Sequence, residues 1–264
     1  MKVSGKHLFG ALAAGAVGAL LVAERKRPLR RRTRPDLARN IRNAAMGASC
    51  ALVIALVEEP LTQRIARANA AGGRGIAQRV PKPLSLAAGV LAMDYGFYLW
   101  HVATHKLPFL WRWHRVHHID EDMDASTAVR FHALDMLVSL PWRLVQVRLA
   151  GVDPAGLFAW RQFFNASILF HHSNLRLPAG WDERLSLALT TPKMHGIHHS
   201  SVKAERDSNW TSGFSFWDRL HGTLRDTPAQ DAIDIGVADP RAQGDIALAR
   251  SLTAPFRPIP PETR

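Results

Sequence analysis

The chain has 264 residues, enough for one large domain or two small ones, and a single cysteine, Cys50, which excludes an intramolecular disulfide framework and any cysteine-based zinc site. Its net charge of +12, from 34 lysines and arginines against 22 acidic residues, suits nucleic acid or an anionic membrane surface. No basic-plus-aromatic nucleic-acid motif is present, and seven basic residues crowd into ERKRPLRRRTR, 24–34, directly after an apolar run, so the charge speaks for a membrane and against nucleic acid.

The first apolar run, LFGALAAGAVGALLVA at 8–23, carries no charge. As a helix it rises ~24 Å, a little short of a ~30 Å hydrocarbon core, and flanking residues can complete a span. A signal peptide with MKVSGKH as its basic start is the rival reading, but the arginines after the run suit a retained anchor better. A second run, AAMGASCALVIALV, covers 44–57, and a third, LSLAAGVLAMDYGFYLW, covers 84–100 and ends against His101. Asp94 is the only charge in the third run; an acidic residue inside an apolar helix is costly and usually faces a partner. The mean hydropathy of −0.09 is low for a polytopic protein, which predicts a few spans and a sizeable water-exposed part.

The excess of basic residues on cytoplasmic loops orients these runs. It puts 24–34 in the cytoplasm and the N-terminus outside; the second run leads out, the third returns, and His101 arrives at the cytoplasmic face. Arg64, Arg67, Arg74, Arg79 and Lys82, in the predicted loop 59–82, run against this rule, and a re-entrant pair would remove the conflict. Further on, 133–147 and 155–170 are apolar apart from a few polar residues that include Arg143 and Arg161, and GVDP at 151–154 joins them as a hairpin whose ends share one face. Residues 225–264, with proline and scattered charge, read as a peripheral tail.

Eleven of the 13 histidines then fall on one side, with only His7 and His221 outside the clusters. His101 and His105 are spaced i, i+4; His114, His117 and His118 form HxxHH; His195, His198 and His199 repeat it; His171 and His172 form a pair, and His132 stands alone. On a helix, residues three and four apart share a face with Cβ atoms ~5–6 Å apart. In HxxHH the first and third rings therefore point together, while the middle one is turned by about 100° and reaches a second point. These motifs offer ten imidazoles, too many for one ion and suited to two. A histidine-rich storage tract would be of low complexity, whereas these clusters are separated by apolar helices, and HExxH is absent, which leaves a zincin unsupported. Trp111 and Trp113 are expected in an aromatic belt at the membrane interface.

DYGFYLWHVATH, LWRWHRVHH, AVRFH, FHHSNLRLP, TPKMHGIHHS and NWTSGFSFWDRLHGT follow one another from Asp94 to Thr223. In types and order they resemble the fatty acid hydroxylase superfamily, also called the sterol desaturase family. The resemblance implies an all-α fold: a multi-span transmembrane helical domain with a cytoplasmic helical cap that carries a histidine-rich di-metal site. It divides the chain into a membrane anchor region with a basic loop (1–82), a catalytic domain (83–224) and the tail (225–264). It implies two iron ions, O₂ as co-substrate and a lipid as substrate, with His101, His105, His114, His117, His118, His172, His195, His198 and His199 catalytic and binding metal. Helical neighbours diverge by about 100°, and the resemblance favours His172 as a direct ligand, leaving His171 to the other iron or to a supporting place. His132 is a further candidate.

Neutral imidazoles leave the charge of the ions uncompensated, so carboxylates that hydrogen-bond the outer N–H groups are expected. Asp94, Asp124, Asp207 and Asp218 are the candidates. Asn174 and Asn209 can orient a ligand or a water, and Arg130 can pair with one of the acids. Each also reads as a cap or a solvated loop residue. No GxGxxG fingerprint and no HPGG segment of the cytochrome b5 kind is present, so electrons are expected from a separate ferredoxin- or cytochrome-type protein with its reductase. Sterols, carotenoids, ether lipids and fatty acyl chains are all handled by such proteins. The alternative is a non-catalytic, zinc-holding membrane scaffold that binds lipid.

Overall fold

The computed structural model describes residues 5–33, 36–237 and 247–259; Arg34, the last of the basic cluster, and part of the C-terminal stretch lie outside the described residues. Helix α1, Gly5–Lys26, takes in the first apolar run, and α2, Asp36–Val53, starts the second. The sequence predicts a loop after residue 57, but the chain stays helical through a π-turn at Ile54–Glu58 into α3, Glu59–Gly72. Pro60 has no N–H for the carbonyl four residues back, and the wider turn before it absorbs the mismatch. Two helical stretches, His7–Lys26 and Leu37–Gln78, are long and apolar enough to cross a membrane.

The third run becomes α4, Lys82–Lys106, and a sharp turn at Leu107 leads into α5, Pro108–His118. The predicted hairpin is α6, Ala133–Ala150, and α7, Pro154–His172. Helices α3, α4, α6 and α7 pack around Ala66, Met93, Val147, Val152, Leu157 and Trp160. At the hairpin turn Gly151 takes φ 71°, and Asp153 caps α7 by accepting from Gly156 N at 2.7 Å. Gly75, at φ 90°, lies directly on this turn: a Cβ there would stand 2.4 Å from Gly151 Cα, so only two glycines permit the approach. Asn69 ties the end of α3 to the same turn, donating to Val147 O at 2.9 Å.

The opposite end of the bundle carries the histidines. Helix α1 runs parallel to α7: Phe9 meets Phe158 near the hairpin turn, at 6.3 Å between ring centroids. At its other end Glu24 accepts from Asn174 N at 2.9 Å and Ala125 N at 3.1 Å. The basic segment after α1 and the histidines therefore share one end, and Ala71 lies at the other.

A cap of short helices covers the histidine end: α8, Trp181–Leu185; α9, Pro192–His198; α10, Lys203–Arg206; α11, Phe216–Leu220; and α12, Leu248–Thr253. Among the described residues there is no sheet, only isolated bridges such as Ser200 to Ile235. A buried ionic knot fastens α2 to the connection between α5 and α6: Arg39 meets Asp124 at 2.8 Å and Arg42 meets Asp120 at 3.1 Å. Burial pushes the Asp120 carboxyl up, but the guanidiniums of Arg130, Arg39 and Arg42 hold it below the usual carboxylate range. The C-terminal stretch closes over α5, with Val237 N donating to His118 O at 2.9 Å and Arg115 donating to Ala254 O.

Candidate metal centre

Four elements bring the histidines together. The last turns of α4 present His101 and His105, and α5 presents His114, His117 and His118 one sharp turn later. The last turn of α7 holds His171 and His172. Helix α9 has only seven residues; the Thr191 hydroxyl caps it from Met194 N at 3.4 Å, Pro192 opens it, and His195, His198 and His199 follow.

The rings sort into two groups. His101, His105, His114, His118 and His198 form one, and His117, His172, His195 and His199 the other, with ligand atoms within 4.8 Å of one another in each. The two HxxHH units cross over: the first gives its outer pair to the first group and His117 to the second, and the second unit does the reverse. This is the divergence of adjacent helical positions expressed in space. His171 belongs to neither group; it is fully buried beside His195, at 4.0 Å between ring centroids.

Three of the outer nitrogens go to backbone carbonyls. His101 Nδ1 is 2.7 Å from Trp210 O, His172 Nδ1 2.7 Å from Ile168 O, and His198 Nδ1 2.9 Å from Ser208 O. Each contact fixes a tautomer and aims Nε2 inward. His172 Nε2 then stands 3.0 Å from both His117 Nε2 and His195 Nε2. His105 Nε2, His198 Nε2 and both nitrogens of His199 are buried with no hydrogen-bond partner. Burial first, and neighbouring imidazoles after it, hold His114, His117, His118, His195, His198 and His199 well below the usual imidazole pKa, so their lone pairs are free at neutral pH. Metal–nitrogen bonds of ~2.0–2.1 Å place ligand atoms up to ~4.2 Å apart, so converging donors within 4.8 Å of one another need to draw in only slightly to hold a metal ion in each group.

The polar candidates stand outside this ring of imidazoles. Asp94 accepts from Phe214 N at 3.0 Å and Trp217 Nε1 at 2.9 Å, and Asn174 joins the basic segment, accepting from Arg30 N at 2.8 Å and donating to Arg30 O at 2.9 Å. Asp218 accepts from Trp210 N at 2.9 Å, Thr211 N at 3.0 Å and the Thr211 and Thr223 hydroxyls, and so orders the strip whose Trp210 carbonyl meets His101. Asp124 caps the turn 125–129 and pairs with Arg39, and Asp207 pairs with Lys106 at 2.6 Å. Asn209 bridges Met194 O and Arg225 O, while Arg130 donates to Val116 O and the Ser251 hydroxyl and faces Asp120, not one of the four candidate acids. Among the described residues no carboxylate touches a histidine ring, which replaces the expected carboxylate contacts with carbonyls that folding alone brings into place. His132 is the α6 cap, its Nδ1 accepting from Leu134 N at 3.1 Å and its Nε2 facing Leu252 O.

Trp111 also departs from expectation. It is 3 % exposed and packs on His105 at 4.8 Å, inside the cap instead of in an interfacial belt. Sequence reasoning passed over Trp210, which is buried edge-on against His105, and Phe131, which stacks on His117 at 4.3 Å. The NWTSG context and the RFH motif hold them, but nothing local marks either as a wall of the centre. A cavity of about 460 Å³ reaches His101, His114, His117, His172 and His195 and continues between α2, the π-turn, α4, α6 and α7 past Phe97, Trp100 and Phe164. A larger polar cleft of about 950 Å³, beside 28–33 and 230–237, touches no histidine.

The family model described as fatty acid hydroxylase matches residues 86–223. The chain is similar to the ornithine lipid hydroxylase OlsE of Rhizobium tropici, at 29% identity over 214 residues, which covers 81% of this chain and 60% of that one. It is 32% identical over 167 residues to the alkylglycerol monooxygenase of Danio rerio, covering 63% and 36% of the two chains. It is 27% identical over 149 residues to the human cholesterol 25-hydroxylase, covering 52% and 49%. The chain thus spans 60% or less of the length of these relatives. No solved structure matches it.

Proposed function

Since the chain belongs to the fatty acid hydroxylase family, we propose that it is an integral membrane oxidoreductase that holds two iron ions and uses O₂ and external electrons to hydroxylate or desaturate a lipid. The observation that carries this reading is the pair of buried imidazole groups at the end of an apolar cavity. Imidazole suits iron, zinc and copper alike, so the donor set does not choose the metal. The names of the relatives, hydroxylases and monooxygenases, support a redox metal over zinc, and the family resemblance supports iron.

When bound, such a metal pair supplies reduction of O₂ and removal of hydrogen from an unactivated C–H bond. The chain does the rest. His101, His105, His114, His118 and His198 hold one ion, and His117, His172, His195 and His199 the other. Trp210 O, Ile168 O and Ser208 O fix three of the rings, and Asp218 fixes Trp210. Trp111, Phe131 and Trp210 keep water from the rings, and the aromatic cavity seats the lipid beside them. The basic segment after α1 supports a histidine end on the cytoplasmic face, within reach of a soluble or membrane-bound electron donor of the ferredoxin or cytochrome type.

The test is iron content and O₂ uptake of the detergent-purified protein. We expect iron in both groups, no turnover with NADPH alone, and turnover once a donor and its reductase are added, with an oxidised lipid found by comparing lipid extracts of cells with and without the protein. Stoichiometric zinc with no O₂ uptake would establish the scaffold reading instead.

A further inference from the structure

From Ala133 to Val145, helix α6 is apolar except for a stripe. Asp135, Ser139 and Arg143 recur every four residues, so they occupy one face, and the stripe rises ~12 Å from first to last. All three line the cavity that the histidines close. Polar residues on a helix within a bundle normally serve the packing by bonding across to a neighbouring helix. The two polar residues in the last turns of α6 do so: Gln146 donates to Met93 O at 2.5 Å and Arg148 to Asn69 Oδ1 at 2.7 Å.

The stripe does not. Asp135 is 5 % exposed, yet among the described residues its carboxyl accepts no hydrogen bond and makes no ion pair. Ser139 bonds only Met136 O of its own helix, at 3.0 Å. The Arg143 guanidinium lies over the rings of Phe97, Trp160 and Phe164 at 5.0, 5.7 and 5.9 Å, reaches only Gln146 Oε1 of its own helix at 3.4 Å, and leaves a buried Nε with no acceptor. A purely hydrocarbon occupant would leave both groups desolvated with no hydrogen-bond partner across the cavity, their cost offset only by the attraction of Asp135 and Glu58 for the Arg143 guanidinium.

We propose that the cavity takes in the polar headgroup of the lipid, with Asp135 binding a hydrogen-bond donor of that headgroup, a hydroxyl or an ammonium, and Arg143 binding an acceptor oxygen. The proposal rests on reading the cavity as the lipid site. Asp135 lies in the first turn of α6, four residues after Phe131, which stacks on His117, so the donor is held at the histidine end. The oxidised carbon therefore lies in the headgroup or next to it, and the chain leaves through the open side between Ala51 and Ala55 on one wall and the exposed Asn165 on the other.

The experiment measures affinities of the metal-loaded full chain in one detergent for four probes: Nα-palmitoyl-lysine, 1-O-hexadecylglycerol, methyl palmitate and cholesterol. The first offers an ammonium and a carboxylate, the second hydroxyls alone, and the third no donor. We expect at least one of the first two to bind about tenfold or more tighter than methyl palmitate, the probe with no donor, and which one it is identifies the donor. Asp135→Asn should erase about tenfold of that preference while methyl palmitate binding stays within about twofold, and Arg143→Gln should weaken the carboxylate probe selectively. Ratios between probes cancel their partitioning into detergent, and the unaltered chain alone decides the matter where a variant fails to fold. Equal affinities for all four probes, or a preference untouched in a folded Asp135→Asn protein, overturn the proposal. Headgroup preference without O₂ uptake would overturn the enzyme reading and leave this one standing, and oxidation of cholesterol without headgroup preference would do the opposite.

Discussion

Replacing His117 and His198 one at a time separates the two groups of imidazoles. Both are the turned-out ring of an HxxHH unit, and each crosses to the group that its two neighbours do not join. His117→Ala reduces the four-membered group to three donors and leaves the other group whole, whereas His198→Ala leaves four of five in its group. Loss of even an outer partner of a ligand lowers metal affinity ~10–100-fold, or ~1.4–2.7 kcal/mol, so loss of a donor sets a floor at that level. His117→Ala should therefore fall towards one metal per chain, because three donors must compete with chelators for the second ion. His198→Ala should keep more metal at saturation but release one ion faster to a chelator. Turnover should be lost in both, since each ion needs its full set of rings. Elemental analysis after gel filtration, followed by chelator competition, reads the difference. Two tightly held irons in both variants would refute the assignment, and loss of both irons from both variants would refute the division into two groups.

His132→Ala should keep both metals and lose about 0.5–2 kcal/mol of stability, the usual worth of a helix cap, and a fall in metal content would contradict its place as the α6 cap. Acidification should destabilise the metal-free protein: the buried histidines of α5 and α9 have folded pKa values well below 6.5, so the unfolded chain binds more protons, and stability that is full above pH 6.5 drains away as pH falls below it. Each such histidine adds up to ~1.4 kcal/mol per pH unit, and a denaturation midpoint that does not move between pH 7 and pH 5.5 would contradict this. Reporters fused after Arg34 and at Gly222 should both face the cytoplasm and one at Ala71 the opposite side; Gly222 and Ala71 on one side would show that the stretch from α2 to α3 does not cross.

Much of this protein is legible in one dimension because its signals are local. The run 8–23, the hairpin punctuated by GVDP and the helical spacing of HxxxH and HxxHH depend only on neighbours within a turn or two, and α1, α6, α7 and the split of each HxxHH unit between two points follow from them. The end of the second run does not follow: 59–72 looks like a basic loop, but it packs against α6 and α7, and that burial keeps it helical. Similarly, Trp111 reads as interfacial because its amphipathic ring suits a membrane surface, until the cap covers it.

What the tertiary structure alone decided is which groups meet. The acids near the histidine motifs in sequence, Asp94, Asp124, Asp207 and Asp218, are all consumed by loops, caps and ion pairs, while three of the outer imidazole nitrogens find Trp210 O, Ser208 O and Ile168 O. A backbone carbonyl has no signature in the sequence, because every residue carries one, and only the fold determines which one lies against a ring. The same holds for Asp135: one acid in an apolar segment suggests a partner, and only the packing of α2, α4, α6 and α7 around it shows that no described residue hydrogen-bonds or ion-pairs with its carboxyl.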